Sequence, residues 1–211
     1  MKIMYSPPNI IKWTFPNTIW NSRANKVLFS FDDGPTEIAT VKILDKLDKF
    51  NIKAIFFCVG NNVIKYPYLA EEILKRGHSI GNHTQNHTRI TKIGKDHVIS
   101  EIKECSNSVQ GKLNYKQKYF RPPYGRFSIG TQRILNDLNM KNVMWSLLTH
   151  DYENDLNIVK FALKNYLRQN SIVVFHDSKK SAEIITDSIN YTVEIAEKKK
   201  FKIGTPAECL S

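Results

Sequence analysis

The 211-residue chain has no apolar run approaching the roughly 20 residues of a membrane span. Its N-terminus has no unbroken apolar stretch followed by a small-residue cleavage site. Pro7, Pro8, Asn9 and Pro16 break up the apolar residues of segment 1–25, so no signal peptide is read there. These absences lead us to expect a cytoplasmic protein with no membrane partner. Cysteine is scarce: Cys58, Cys105 and Cys209 lie far apart and form no Cys-x-x-Cys pair. A disulfide framework or a zinc ribbon is therefore not expected. Gly-x-Gly-x-x-Gly and Gly-x4-Gly-Lys-Ser/Thr are both missing, which removes the usual nucleotide-binding signatures. There is no linker, internal repeat or low-complexity segment. The formal charge of +11 is spread along the chain, with Lys198-Lys199-Lys200 as the one dense run. That run falls near a helix end, where cations suit the helix dipole, so no nucleic-acid partner is expected.

What remains is the pattern of one soluble domain, with 41% hydrophobic and 11% aromatic residues. Short apolar runs predict strands at 26–31, 53–59, 79–82, 119–121, 142–146, 172–175 and 202–204. Amphipathic stretches predict helices at 38–50, 62–76, 96–110, 128–138, 155–168 and 182–200. The spacing of Val41, Leu44 and Leu47 gives one apolar face, with Lys42, Lys46 and Lys49 outside it. About seven βα repeats imply a parallel α/β sheet with both faces covered, either a closed barrel or an open doubly wound sheet. Residues 1–25 are expected to form an N-terminal extension packed on the domain of residues 26–211.

The unusual polar residues follow the strand ends, where parallel α/β folds gather their sites. Ser30-Phe31-Asp32-Asp33-Gly34-Pro35 closes the first strand. Adjacent carboxylates repel and disfavour β structure, and successive strand residues face opposite sides. Asp32 and Asp33 can thus take different tasks, one toward a metal and one toward a proton. His83 and His87 follow the third strand at i, i+4, which on one helical turn would put both imidazoles on one face. The spacing alone suits a metal site and two surface histidines equally. Asp33 supplies a third ligand. Two His and a carboxylate leave a position open, as in catalytic Zn²⁺ sites, and the set also suits Fe(II), Co²⁺ or Ni²⁺. Arg121, before Pro122-Pro123-Tyr124-Gly125, is placed to pair with Asp32. Tyr124 and Gly125 offer backbone N–H groups to an oxyanion. His176, after the apolar run Val173-Val174-Phe175, is placed for general acid work. Trp145 and Tyr152 are read as core or rim aromatics.

Together these motifs resemble the NodB-like polysaccharide deacetylases, carbohydrate esterase family 4. Ser30 to Pro35 matches that family's T-F-D-D-G-P except for Ser in place of Thr. His83-Thr84-Gln85-Asn86-His87 matches H-[ST]-x-x-H, and Arg121-Pro122-Pro123-Tyr124 matches R-x-P-Y. Val173-Val174-Phe175-His176 is similar to L-x-L-H. The fourth motif departs: Leu148 stands where D-x-x-D-[WY] has its first Asp, and Asp151-Tyr152 matches its second half. The resemblance covers residue 26 to the C-terminus. It implies a distorted, TIM-barrel-like (β/α)7 barrel and metal-dependent removal of N-acetyl groups from acetylated sugars or polysaccharides. It implies Asp33, His83 and His87 as ligands of a divalent metal, zinc first with cobalt or nickel as alternatives. Asp32 is then the base, Arg121 its partner and His176 the acid. Tyr124 gives its N–H to the oxyanion, and Asp151 is the aligned carboxylate left to orient His176. Val173 and Phe175 are candidates for an acetyl-methyl pocket. The alternatives are an O-acetyl esterase on a glycan such as acetylated xylan, and a sugar-binding protein with a decayed site.

Overall fold

In the computed structural model, which describes residues 4–211, the apolar runs pair in parallel as one seven-stranded sheet. The strands are β1 (Leu28–Asp32), β2 (Ile55–Cys58), β3 (Ser79–Asn82), β4 (Tyr119–Phe120), β5 (Lys141–Asn142), β6 (Leu147–Leu148) and β7 (Ile172–His176). Their order across the sheet is β5-β4-β3-β2-β1-β7-β6.

The register explains why β1 reads as apolar throughout. Phe29 and Phe31 point outward to the helices, where Phe31 stacks on Phe56 at 4.9 Å and on Phe175 at 5.5 Å between ring centroids. Leu28 packs inward with Ile55, Phe57 and Ile172, and Ser30 shares that inner face. Asp32, two residues on, is therefore delivered to the inside of the curl by strand alternation alone. The same parity places Val173 and Phe175 in the outer, helix-facing core. They do not line the mouth, and the acetyl-pocket expectation for them is corrected.

The expected fifth strand, 142–146, is a single extended crossing between the two sheet edges. Val143 N–H donates to Phe120 O at 2.8 Å, and Ser146 N–H donates to Ile172 O at 3.2 Å. Residues 141–148 thus leave β4 on one edge and reach β7 on the other, curling the sheet into a distorted (β/α)7 barrel. Only the two ends form ladders, because the middle changes partner. The expected strand at 202–204 reduces to one bridge between Val27 and Ile203, and β6 takes its place in the count.

The helices are α1 (Asn9–Thr14), α2 (Thr40–Lys49), α3 (Gly60–Lys65), α4 (Pro67–Lys75), α5 (Lys95–Leu113), α6 (Ile129–Asp137), α7 (Leu156–Tyr166), α8 (Ile185–Lys198) and α9 (Pro206–Leu210). The helix expected over 62–76 is two. Pro67 opens α4 and forces Tyr66 out of helical geometry, to φ −126° and ψ 57°. Ser128 caps α6 and Asp155 caps α7 through their side chains, as the residue types suggest. Short α1 and α9 have no periodicity to announce them. In the segment expected as an extension, Ile19 and Trp20 are buried and Ile19 bridges to Val143. Among the described residues, no helix is long and apolar enough to cross a membrane.

Candidate active site

Three polar groups meet on the rim formed by the C-terminal ends of the strands. The first is Asp33, His83 and His87. Asp33 Oδ1 lies 3.0 Å from His87 Nε2 and 3.5 Å from His83 Nε2. One donor atom from each falls within 4.8 Å of the others. His83 is buried, and its Nδ1 sits 2.7 Å from the Arg121 carbonyl. A carbonyl only accepts, so Nδ1 carries a proton and Nε2 is the ring atom turned toward Asp33. Burial opposes charge on Asp33, but hydrogen bonds from His83 and His87 outweigh it and hold the carboxyl well below its ordinary range. An ionised carboxylate beside two imidazole nitrogens is a donor set that fits a divalent metal.

The two histidines do not share a helical turn. Thr84 and His87 adopt left-handed φ of 66° and 56°, so the chain turns irregularly between them. Polar side chains hold that path. Asn82 Oδ1 accepts from Thr84 N–H at 3.0 Å. Glu101 on α5 accepts from Asn86 N–H, Asn86 Nδ2 and Thr88 Oγ1 at 2.9, 2.8 and 2.9 Å. Asp33 is also left-handed, at φ 78°, and its carbonyl accepts from Asn62 Nδ2 at 2.7 Å. That turn swings Asp33 away from the direction of Asp32.

The second group is Asp32 with Arg121. Arg121 is completely buried and lies 4.1 Å from the Phe57 ring centroid. Its Nη1 donates to Asp32 Oδ1 at 2.7 Å and to Ser30 Oγ at 2.9 Å. Nε donates to Val143 O and Nη2 to Met144 O, each at 2.9 Å. One guanidinium thus ties β1 to the crossing segment that closes the barrel. Ser30 keeps the hydroxyl that Thr would supply, and passes its own proton to Val173 O at 2.8 Å. A buried charge needs partners on every side, and here it has them.

The third group is His176 with Asp151. Asp151 is fully buried and takes both N–H groups of His176, the backbone one on Oδ2 and Nδ1 on Oδ1, each at 2.7 Å. Thr149 Oγ1 lies 3.1 Å from Oδ1. Burial pulls His176 down, but the charge and hydrogen bond of Asp151, then the charges of Asp33 and Asp32, push it up to about 9. At neutral pH His176 is an imidazolium. Leu148 is no gap in this arrangement, because Asp151 alone satisfies both donors.

Tyr124 sits at φ 59°, is 63% exposed, and packs its ring edge-on to His87 at 4.8 Å. Gly125 N–H is already given to Pro122 O, so of the two amides named from the sequence only Tyr124 remains a candidate oxyanion donor. Gly125 has φ 63°, and a Cβ there would lie 2.3 Å from the Trp145 ring. Asp177 follows His176 at the end of β7, and the sequence alone gives it no role. It is buried, its N–H donates to Asp32 O at 2.8 Å, and it accepts from Thr36 and Thr40 hydroxyls at 2.8 and 2.6 Å. Burial pushes its carboxyl up to about 7 against the pull of those hydroxyls. A Cβ on Gly34 would meet Asp177 Oδ2 at 2.2 Å, so Asp177 braces the Asp32–Gly34 turn against α2. Its position directly after His176 was the available signal.

Residues 21–143 match the family model described as polysaccharide deacetylase. A peptidoglycan-N-acetylglucosamine deacetylase of Bacillus cereus is 37% identical over 128 residues, 61% of this chain and 46% of that protein. Chitin deacetylase 1 of Saccharomyces cerevisiae is 31% identical over 189 residues, 88% of this chain and 61% of that protein. The crystal structure of the Bc1960 peptidoglycan N-acetylglucosamine deacetylase, in complex with 4-naphthalen-1-yl-N-oxidanyl-benzamide, superposes with a TM-score of 0.89 at 26% identity. That match covers 97% of this chain and 98% of the other. The chain spans less than half the length of the first curated relatives it matches, 46% and 38%.

Proposed function

Because the chain belongs to the polysaccharide deacetylase family, we propose that it is a metal-dependent hydrolase that removes N-acetyl groups from amino-sugar polymers of the chitin or peptidoglycan type. The observation that carries this reading is the meeting of three groups on one rim: Asp33–His83–His87, Asp32–Arg121 and His176–Asp151. Asp33, His83 and His87 hold the metal, with zinc as the ion proposed and cobalt or nickel as substitutes. When bound, such an ion supplies Lewis acidity to the hydrolytic water and to the acetamide carbonyl.

Each remaining task falls to a residue whose surroundings suit it. Asp32 takes the proton of the attacking water. Arg121 aims Asp32 through the 2.7 Å ion pair between Nη1 and Oδ1. The Tyr124 backbone N–H faces the developing oxyanion. His176 gives its Nε2 proton to the departing amine while Asp151 steadies Nδ1. The C–N bond breaks, and the products are acetate and a free amino sugar.

Purified protein reconstituted with Zn²⁺ or Co²⁺ is expected to release acetate from chitooligosaccharides or from N-acetylated peptidoglycan fragments, and to stop when the metal is chelated. Release from acetylated xylan alone would replace this reading with that of an O-acetyl esterase. No release from any of the three would leave a sugar-binding protein with a decayed site.

A further inference from the structure

Tyr152 forms a wall beside His176, and something unexpected holds that wall. The two rings meet edge to face, at 90° and 4.8 Å between centroids. The Tyr152 hydroxyl lies 2.7 Å from His150 Nδ1. His150 Nε2 lies 3.1 Å from the carbonyl of Met4. A carbonyl cannot donate, so Nε2 carries a proton, and in the neutral ring Nδ1 is then the acceptor. In that tautomer the Tyr152 hydroxyl donates to His150, which turns its hydrogen away from the mouth.

His150 adopts a left-handed backbone, φ 59° and ψ 30°, a conformation that His tolerates better than most residues but that is sparsely populated outside Gly. Such strain persists where surrounding contacts over-determine it. Here they do so from the N-terminal segment. Leu148 N–H on β6 donates to Tyr5 O at 2.8 Å, so residues 4–5 run along the sheet edge. The Tyr5 ring packs edge-on against His150 at 5.2 Å. It also stacks on Tyr166 of α7 at 5.1 Å, and lies 5.5 Å from Phe161. An unbroken series of contacts thus runs from α7 through Tyr5 and His150 to Tyr152 and His176.

We propose that His150 and Tyr152 are positioning residues for His176, held in place by a strap made of Met4 and Tyr5. Asp151 grips one edge of the His176 ring, while Tyr152 covers its flank. The ring cannot tilt from Asp151 without displacing Tyr152, and water does not reach the Asp151–His176 bond from that side. This rests on the reading of His176 as the proton donor.

The test compares His150→Leu, His150→Gln and Tyr152→Phe in the full chain, with two independent readouts. The first is acetate release with Co²⁺ titration. His150→Leu and Tyr152→Phe are each expected to lower kcat about tenfold, with KM and Co²⁺ affinity within about twofold of the parent. His150→Gln, which keeps one acceptor and one donor, is expected to regain most of kcat. The second is solvent exchange of the His176 Nδ1 proton by NMR, expected to quicken about tenfold in His150→Leu. Unchanged exchange or unchanged kcat in His150→Leu would overturn the positioning role, as would equal losses in the Leu and Gln variants. If the parent releases no acetate, the deacetylase reading falls and the exchange measurement alone decides whether His150 and Tyr152 position His176.

Discussion

Asp151→Asn isolates the source of the charge on His176. The change keeps shape and removes one negative charge from a fully buried position. It also turns one of two acceptors into a donor, so His176 can no longer give both its N–H groups to residue 151. His176 is pushed up to about 9, and Asp151 supplies the two largest contributions opposing burial. Without them burial remains, so the pKa is expected to fall to about 6.5, the ordinary value, or below. At pH 8 the protonated fraction then drops from roughly 90% to roughly 3%, which lowers acid-dependent turnover about thirtyfold. The linkage sign follows. A base with a raised folded pKa contributes stability that is complete below about 6.5 and lost as pH rises through about 9. That difference corresponds to about 3 kcal/mol, most of it due to Asp151. Urea unfolding of the variant is therefore expected to show its largest deficit near pH 6 and a shrinking one toward pH 9. NMR titration of the His176 ring in chelator-treated protein reads the pKa directly. A value that stays above about 8, or a stability deficit that grows with pH, refutes the reasoning.

Three further changes probe other parts of the site. Arg121→Met leaves Asp32 buried without its cation and unties the crossing segment, at an expected cost of about 3–5 kcal/mol in urea unfolding; a loss below about 1 kcal/mol would contradict its role as a staple. His83→Ala is expected to weaken Co²⁺ or Zn²⁺ binding more than about 100-fold, measured by titration calorimetry, with acetate release falling in parallel; an active, metal-free variant contradicts the ligand assignment. Leu148→Asp restores the carboxylate usual in the fourth motif, yet Asp151 already satisfies both His176 donors. Its kcat is expected to stay within about twofold of the parent, and a rise above about fivefold in acetate-release kinetics would show that Leu148 is a deficit.

Much of this architecture is legible in the sequence, for reasons that particular residues make plain. The strand around Phe29, Ser30 and Phe31 reads as an apolar run because helices cover one face and barrel side chains the other. Its polarity code is hidden until the register shows Ser30 and Asp32 inside and the two Phe outside. Apolar spacing continues on both sides of Pro67 and hides the break that it makes between α3 and α4. The His83/His87 spacing suggests a shared helical turn, which the chain does not form. Left-handed Thr84 and His87, with Glu101 holding the loop, bring the rings together without a helix. Arg121 with Asp32 could be paired by charge alone. Asp151 could be linked to His176 only through the family motif, since no spacing rule joins residues 25 apart on different strand ends. The Met4–His150 contact spans 146 residues and depends on where the chain start lies against β6, which no local pattern encodes.

In the proposed mechanism two neighbouring aspartates divide the chemistry, Asp33 toward a metal and Asp32 toward a proton. Asp32→Asn, followed by metal titration and acetate release on the same sample, tests it most directly. Metal is expected to bind as in the parent while acetate release falls at least about 100-fold, the range of a lost general base. Loss of metal binding, or turnover near the parental rate, would contradict it.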